Sequence, residues 1–420
     1  MICVSTRGKA PAVSLREAVL AGIAPDGGLY VPASIDRLPD SWWSELRSRT
    51  FQDVAVALAA ELAGDEFDRD ALASLVRDAL NFPVPIVKLD DCVSVVELFH
   101  GPTFAFKDFG ARTLARLMAA VHDGAEPMTV LVATSGDTGG AVAQAFHGVA
   151  GTRVVVLYPE GQVSHVQEAQ FTTLGGNVTA VAVRGSFDDC QRLAKEAFAD
   201  PVLQSRRRLT SANSISLGRL LPQIFYYAYA ALQAPDGDLT ISVPSGNFGN
   251  LVAGVMAWRL GAPIAAFFAP TTINDTVPRY LASGRIEPRP SVPTLANAMD
   301  VGNPSNLERL EWLFDGDVNA IRSLISSTAH TDDEVRDAIA ALHDRYDYVA
   351  DPHTAIAYLG TQAPEAPWFL ATAHPAKFRE VVEPVIREAV QLPDALAALL
   401  SRKQSSRRIS PVLAELADLL

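Results

Sequence analysis

Four short polar segments of this 420-residue chain combine reactive residue types with a place next to a predicted strand or helix. SGNFGN (245–250) separates the apolar run LTISVP from the helical pattern LVAGVMAWRLG (251–261). Glycines let backbone N–H groups approach an anion, and a helix N-terminus adds partial positive charge. Gly246, Asn247, Phe248, Gly249 and Asn250 therefore read as a phosphate cradle, with a plain strand-to-helix turn as the alternative. Neither GxGxxG nor GxxxxGK[ST] is present, so no dinucleotide or ATP is implied. In TSGDTGG (134–140), Ser135, Thr138 and free backbone N–H groups could hold a carboxylate. Otherwise that loop is a helix start capped by Asp137 or Thr138. In HGPTFAFKDFG (100–110), Lys107 follows two phenylalanines and opens a helix with Leu114, Leu117, Met118 and Val121 on one face. Burial and the helix dipole both favour the neutral amine that a Schiff base requires. The alternative is a lysine that snorkels to solvent or pairs with Asp108. In ATAHPAKF (371–378), Thr372 stands at a predicted strand end, where it could meet a ring nitrogen. His374 reads as catalytic or as a buried structural histidine, and Lys377 as a surface charge. A lysine, a phosphate cradle, a carboxylate-sized loop and a late threonine are together the parts of a pyridoxal-phosphate site.

The elements that must position these segments can be read from periodicity. Up to residue 90 the pattern is helical. Ser14 and Glu17 form a capping box ahead of Leu15, Val19 and Ile23. A turn and a short extended piece occupy 25–32, and Val54, Leu58 and Leu62 repeat every four residues. Asp68 caps a helix carrying Leu72, Val76 and Leu80, and two prolines in NFPVPIVKL (81–89) mark a boundary. Beyond it, MTVLVAT (128–134), RVVVLYP (153–159), NVTAVAV (177–183), LTISVP (239–244), AAFFAP (265–270) and PWFLATAH (367–374) predict strands. Helical stretches alternate with them, one opened by a second capping box at Thr331 and Glu334. Repeated strand–turn–helix units predict a parallel sheet covered by helices, an α/β fold. The tail with Arg402, Lys403, Arg407 and Arg408 reads as a solvated surface segment.

Composition bounds the partners. Lys and Arg total 35 against 48 Asp and Glu, a net charge of -13, which would repel a nucleic-acid backbone. With 49% hydrophobic and 20% charged residues the chain is globular, not disordered. At about 150 residues per domain, its length suits two or three domains. Cys3, Cys92 and Cys190 are too scattered for a disulfide framework or a zinc site, which fits a reducing compartment and no metal. The longest apolar runs, such as Leu251–Trp258, fall short of the roughly 18 residues a membrane span needs. MICVSTRGKA has no apolar signal region, so the expected location is the cytoplasm.

Taken in order, the motifs resemble threonine synthases of the long bacterial and fungal type. The resemblance rests on APDGGLYVP near the N-terminus, LFHGPTFAFKDFG (98–110), ATSGDTG (133–139) and SANSI (211–215). It continues through VPSGNFGN (243–250), NDTVPR (274–279), NAMDVGNPSN (297–306) and TAHPAKF (372–378). It implies a fold-type-II pyridoxal-phosphate enzyme, tryptophan-synthase-β-like, with the cofactor between two α/β domains. Residues 1–92 would form a mostly helical N-terminal domain and 93–390 the catalytic core. Within that core, about 110–215 would be a smaller mobile subdomain, and 391–420 would be a C-terminal helical tail. Lys107 would carry pyridoxal 5'-phosphate, Gly246 to Asn250 would cradle its phosphate, and Thr372 would face its ring nitrogen. Ser135, Gly136, Asp137 and Thr138 would bind the substrate carboxylate, and Ser211, Asn213 and Arg219 the substrate phosphate. The implied reaction converts O-phospho-L-homoserine and water to L-threonine and phosphate, by γ-elimination and addition of water at Cβ. Two positions depart from the family pattern. Ser216 stands where many relatives carry asparagine, and Ala371 where glycine is common.

Three other readings compete. The same chemistry could end in 2-oxobutyrate, making the protein a phospho-lyase. A serine or threonine dehydratase would use a similar site. A non-enzymatic α/β binding protein is disfavoured by the retention of Lys107 and all the loops. Monomer and homodimer are equally open.

Overall fold

The computed structural model describes residues 1–122, 127–203, 208–234, 238–361 and 368–420. Strands buried on both faces read as continuous apolar runs, because helices cover each side of a parallel sheet. Met128–Ala133 (MTVLVA) is such a run, buried at every position. It lies in a five-stranded parallel sheet ordered Arg407–Ile409, Val178–Val183, Thr152–Pro159, Met128–Ala133, Leu209–Ser211. A larger sheet has the order Ile325–Ser326, Ile264–Phe268, Leu239–Ser242, Trp368–Ala371, Ser94–Glu97, Ile86–Lys88. Its first five strands are parallel, and the last pairs antiparallel with Ser94–Glu97. The predicted strands thus divide between two sheets.

Local signals set the helix ends. Ser14 with Glu17, and Thr331 with Glu334, each satisfy the other's backbone N–H in reciprocal capping boxes. The Asp68 carboxylate accepts from the Ala71 N–H. Helix Lys107–Val121 packs Leu114, Leu117 and Met118 inward.

Three regions differ from the sequence reading. The N-terminal stretch is not purely helical, since Ile2–Ser5, Val13–Ser14 and Tyr30–Pro32 form an antiparallel sheet. Strands of two to four residues hold too little alternation to register as a period. The proline-rich 81–89 segment supplies the edge strand Ile86–Lys88, since proline is tolerated at sheet edges. In the tail, Arg402, Lys403, Arg407 and Arg408 are exposed, as read, yet Arg407–Ile409 adds a strand beside Val181–Val183. Sheet pairing uses the backbone, so side-chain charge at an edge does not forbid it.

The lysine and threonine segments are stitched together. The Phe106 N–H donates to the Thr372 carbonyl at 2.9 Å, and the His374 N–H to the Phe104 carbonyl at 3.1 Å. Gly110 lies so close to the carbonyl of Arg219 that any side chain would collide with it. This draws the Leu217–Leu220 helix against the lysine helix.

Candidate cofactor and substrate site

Lys107 is the first residue of its helix, and its Nζ lies 4.8 Å from the centre of the Phe106 ring and 3.8 Å from Asp137 Oδ2. Its side chain is only 13% exposed. Burial pushes its pKa down to about 8, Asp137 opposes that, and the nearby charges of Lys377 and Arg219 add to it. The alternative partner Asp108 is occupied elsewhere. Its carboxylate accepts from the Thr103 N–H at 2.8 Å and Oγ1–H at 2.7 Å, and burial pushes it up to about 6.

The glycine-rich turn joins strand Leu239–Ser242 to helix Gly249–Arg259, with Phe248 left-handed at φ 60°. A Cβ on Gly246 would sit 2.6 Å from Met299 Cα, so only glycine lets the turn pass there. Asn247 is held at both ends of its amide: Nδ2 donates to Ser214 Oγ at 2.5 Å, and Oδ1 accepts from the Ser305 N–H at 2.6 Å. Asn250 Oδ1 accepts from the hydroxyls of Tyr226 (2.6 Å) and Tyr227 (2.7 Å). Its Nδ2 is buried without a partner among the described residues. One cavity is lined by Lys107, Asp137, Thr138, Arg219, Gly246 to Asn250, His353 and Thr372, among others. A helix start rich in N–H groups, an orphaned amide donor and an amine biased to neutrality fit pyridoxal phosphate.

In the 134–140 loop, Thr134 Oγ1 accepts from the N–H groups of Gly136 (2.9 Å) and Gly139 (2.8 Å). Helix Asp137–Phe146 has Gly136 at its N-cap, so neither Asp137 nor Thr138 acts as the cap. The Asp137 carboxylate pairs with Lys377 Nζ at 2.6 Å and accepts from Gln167 Nε2 at 2.8 Å. Burial would push it up, but Lys377 and Lys107 outweigh burial and hold it well below the usual carboxylate range. What this loop presents to an anion is therefore backbone N–H, since a carboxylate side chain repels another carboxylate.

The remaining sequence-singled residues divide. Arg219 lines the cavity, is buried, and donates Nη1–H to the Ala212 carbonyl at 2.7 Å. Its Nε has no partner among the described residues, and burial pulls the guanidinium pKa down to about 10. Ser135, Gly136, Ser211 and Asn213 do not line the cavity. Ser135 accepts on its carbonyl from Asn297 Nδ2 at 3.4 Å, and Gly136 packs against Gln167. Ser211 Oγ accepts from the Asn213 N–H at 3.2 Å. His374 is structural: its ring meets Phe99 and Phe104 edge-on and its Nδ1 accepts from the Ala376 N–H at 3.1 Å.

Lys377 overturns the surface reading. It is fully buried, donating to the Thr103 carbonyl at 2.9 Å as well as pairing with Asp137. The short turn Pro375–Phe378 has no helical period that would have betrayed its buried face. His353 went unnoticed in the sequence. Its Nδ1 meets Asp351 Oδ1 at 2.7 Å, and its Nε2 accepts from the Ala298 N–H at 3.3 Å. Asp351–Pro352 is a helix-start signature, and a histidine beside it was the available clue.

Fold and site define a pyridoxal-phosphate-dependent enzyme of fold type II, and residues 83–368 match the family described as Pyridoxal-phosphate dependent enzyme. Residues 3–80 match Threonine synthase N terminus, and residues 353–419 match Threonine synthase, C-terminal. A threonine synthase of Serratia marcescens is 45% identical over 392 residues, covering 92% of this chain and 91% of that one. The crystal structure of threonine synthase from Escherichia coli superposes with a TM-score of 0.94 at 39% identity, over 100% of this chain and 99% of that chain. The PLP-bound threonine synthase from Brucella melitensis gives 0.94 at 37% identity, over 100% and 98%. The chain belongs to the threonine synthase family. Its cofactor is pyridoxal phosphate and its substrate a small molecule. Among the described residues, no helix is long and apolar enough to cross a membrane.

Proposed function

We propose that this chain converts O-phospho-L-homoserine and water to L-threonine and inorganic phosphate. The observation that carries this reading is the cavity itself. A lysine whose pKa burial lowers to about 8 shares the cavity wall with an N–H-rich helix start and a buried arginine whose Nε has no partner among the described residues. Lys107 would hold the cofactor, Gly246, Asn247, Phe248, Gly249 and Asn250 would take its phosphate, and Thr372 would serve its ring nitrogen. Ser135, Gly136, Asp137 and Thr138 form the loop that receives the substrate carboxylate: Asp137 and Thr138 offer backbone N–H groups from the cavity wall, while Ser135 and Gly136 shape the turn behind them, the Gly136 N–H being bonded to Thr134 Oγ1. Arg219 receives the substrate phosphate. Ser211 and Asn213 act behind it, shaping the turn whose Ala212 carbonyl Arg219 grips.

Bound pyridoxal phosphate supplies an electron sink that acidifies the substrate's Cα and Cβ protons. Lys107 Nζ is the group that would take the Cα proton and then serve Cβ and Cγ as base and acid in turn. Phosphate leaves from Cγ as a dianion, so the Arg219 guanidinium lowers the barrier where that charge develops. Water adds its oxygen at Cβ and a proton returns to Cα, which balances substrate plus water against threonine plus phosphate. His353 keeps its Nε2 on Ala298 and so steadies the turn against which Gly246 packs.

We also assign residues 1–92, 93–390 and 391–420 to the N-terminal, catalytic and tail regions, and closure over substrate to the 110–215 subdomain. Three free cysteines support a reducing compartment, the cytoplasm. The test is incubation of the cofactor-loaded protein with O-phospho-L-homoserine, measuring threonine, 2-oxobutyrate and phosphate together. Equal threonine and phosphate is the expected result. Phosphate with 2-oxobutyrate would make the protein a phospho-lyase, and no phosphate would overturn the substrate.

A further inference from the structure

We infer that Lys377 is a positioning residue that binds Asp137 in a buried ion pair and thereby offsets the field that would otherwise hold the Lys107 amine in its charged form. This deepens the reading of Lys107 as the cofactor-bearing lysine and rests on it.

Distance and burial carry the argument. Asp137 is 3.8 Å from Lys107 but 2.6 Å from Lys377, so its carboxylate is committed to the second lysine. Two oxygens divide the work: Oδ1 takes Lys377 and Gln167, while Oδ2 faces Lys107. Among the described residues Lys377 pairs with no other carboxylate, and its other hydrogen bond goes to the neutral Thr103 carbonyl. A carboxylate alone beside a buried lysine would favour the charged ammonium, the wrong state for attack on an aldehyde. A third charge cancels that field. The charges that act on Lys107 are Asp137 from one helix start, Lys377 from the 375–378 turn, Arg219 from the 217–220 helix and Asp351 from a helix cap, and the His353 imidazole lines the same cavity. Two cations thus stand against two anions, and the balance tips to burial. Removing Lys377 leaves one cation against two anions in the same dry space. Lys377 itself does not line the cavity, so it acts through Asp137 and not on substrate.

The test is a charge cycle on the full chain. The rate of pyridoxal-phosphate uptake is followed by absorbance against pH, alongside the pH dependence of Lys107 acetylation in cofactor-stripped protein. Lys377→Met should move the Lys107 midpoint upward by about one pH unit or more, the size expected of a bare neighbouring carboxylate. Asp137→Asn should move it downward. Lys377→Met combined with Asp137→Asn should return it near the parent value, and Lys377→Arg should hold it there. Should Lys377→Met fail to fold, the downward shift in Asp137→Asn and the restored double variant still decide the matter. An unchanged midpoint in either folded single variant, or a double variant that stays shifted, overturns the inference. Failure of the underlying reading looks different: Lys107→Ala would then still bind the cofactor covalently.

Discussion

At Lys107 the decisive quantity is the charge of one amine. With its pKa lowered to about 8, the neutral amine is a minority form at physiological pH, yet far more abundant than for an exposed lysine. Lys107→Ala should abolish the absorbance of covalently held cofactor and lower turnover by about 10³-fold or more, within the range for a lost acid–base group. Retention of both would remove the lysine from the mechanism. His374 makes a second residue-level prediction. Burial foremost, then His100, pushes it down to about 4. The unfolded chain takes up that proton near pH 6.5 while the native chain resists it. Stability should therefore fall as pH drops from about 6.5 toward 4. Denaturant midpoints measured across that range should show a flatter decline for His374→Asn, whose Oδ1 can still accept from Ala376. Parallel curves would mean that His374 titrates normally.

Between elements, the critical contact is that of the phosphate turn with the Asn297–Met299 turn. Gly246→Ala places a Cβ 2.6 Å from a backbone atom of Met299, and backbone cannot swing aside as a flexible side chain can. Overpacking of this kind costs about 1–3 kcal/mol. If that strain is relieved by displacing the cradle, cofactor affinity should drop about tenfold or more. Titration of stripped protein with pyridoxal phosphate measures it, and unaltered affinity would mean that the Met299 turn yields freely. Arg309 provides a related support from outside the cavity. This fully buried guanidinium donates to the carbonyls of Tyr30, Ser214 and Ile215 and to Asn306 Oδ1. It thus ties the Tyr30–Pro32 strand to the turn that carries Ser214, the partner of Asn247.

Across the whole molecule, the chain's last segment closes the smaller sheet. Ile409, Leu416 and Leu420 are buried in that sheet's apolar cluster, and the Arg153 guanidinium donates to the Leu419 and Leu420 carbonyls at 2.6 Å each. Deleting residues 401–420 should expose a strand edge and lower the melting temperature by several degrees, since even 1 kcal/mol shifts a large domain by about 2–4 °C. An unchanged melting temperature would reduce the segment to an ornament of the surface.

Legibility followed the range of the interaction. Lys107 before a helix, the 245–250 turn, Thr372 at a strand end and both capping boxes were readable because each depends on neighbours within a few residues. Glycine conformation, helix-end N–H groups and apolar period are local properties of a chain. The burial of Lys377 was not readable. Its partner Asp137 and its acceptor Thr103 lie hundreds of residues away along the chain, and its charge is ordinarily a mark of the surface. The same holds for His353 against Ala298, for Asn250 between two tyrosines, and for a basic tail recruited as a strand. Residue type limits which bonds a group can make. Which of them it makes, and whether a charge sits in water or in a dry core, is settled when distant segments pack and the local dielectric falls with them.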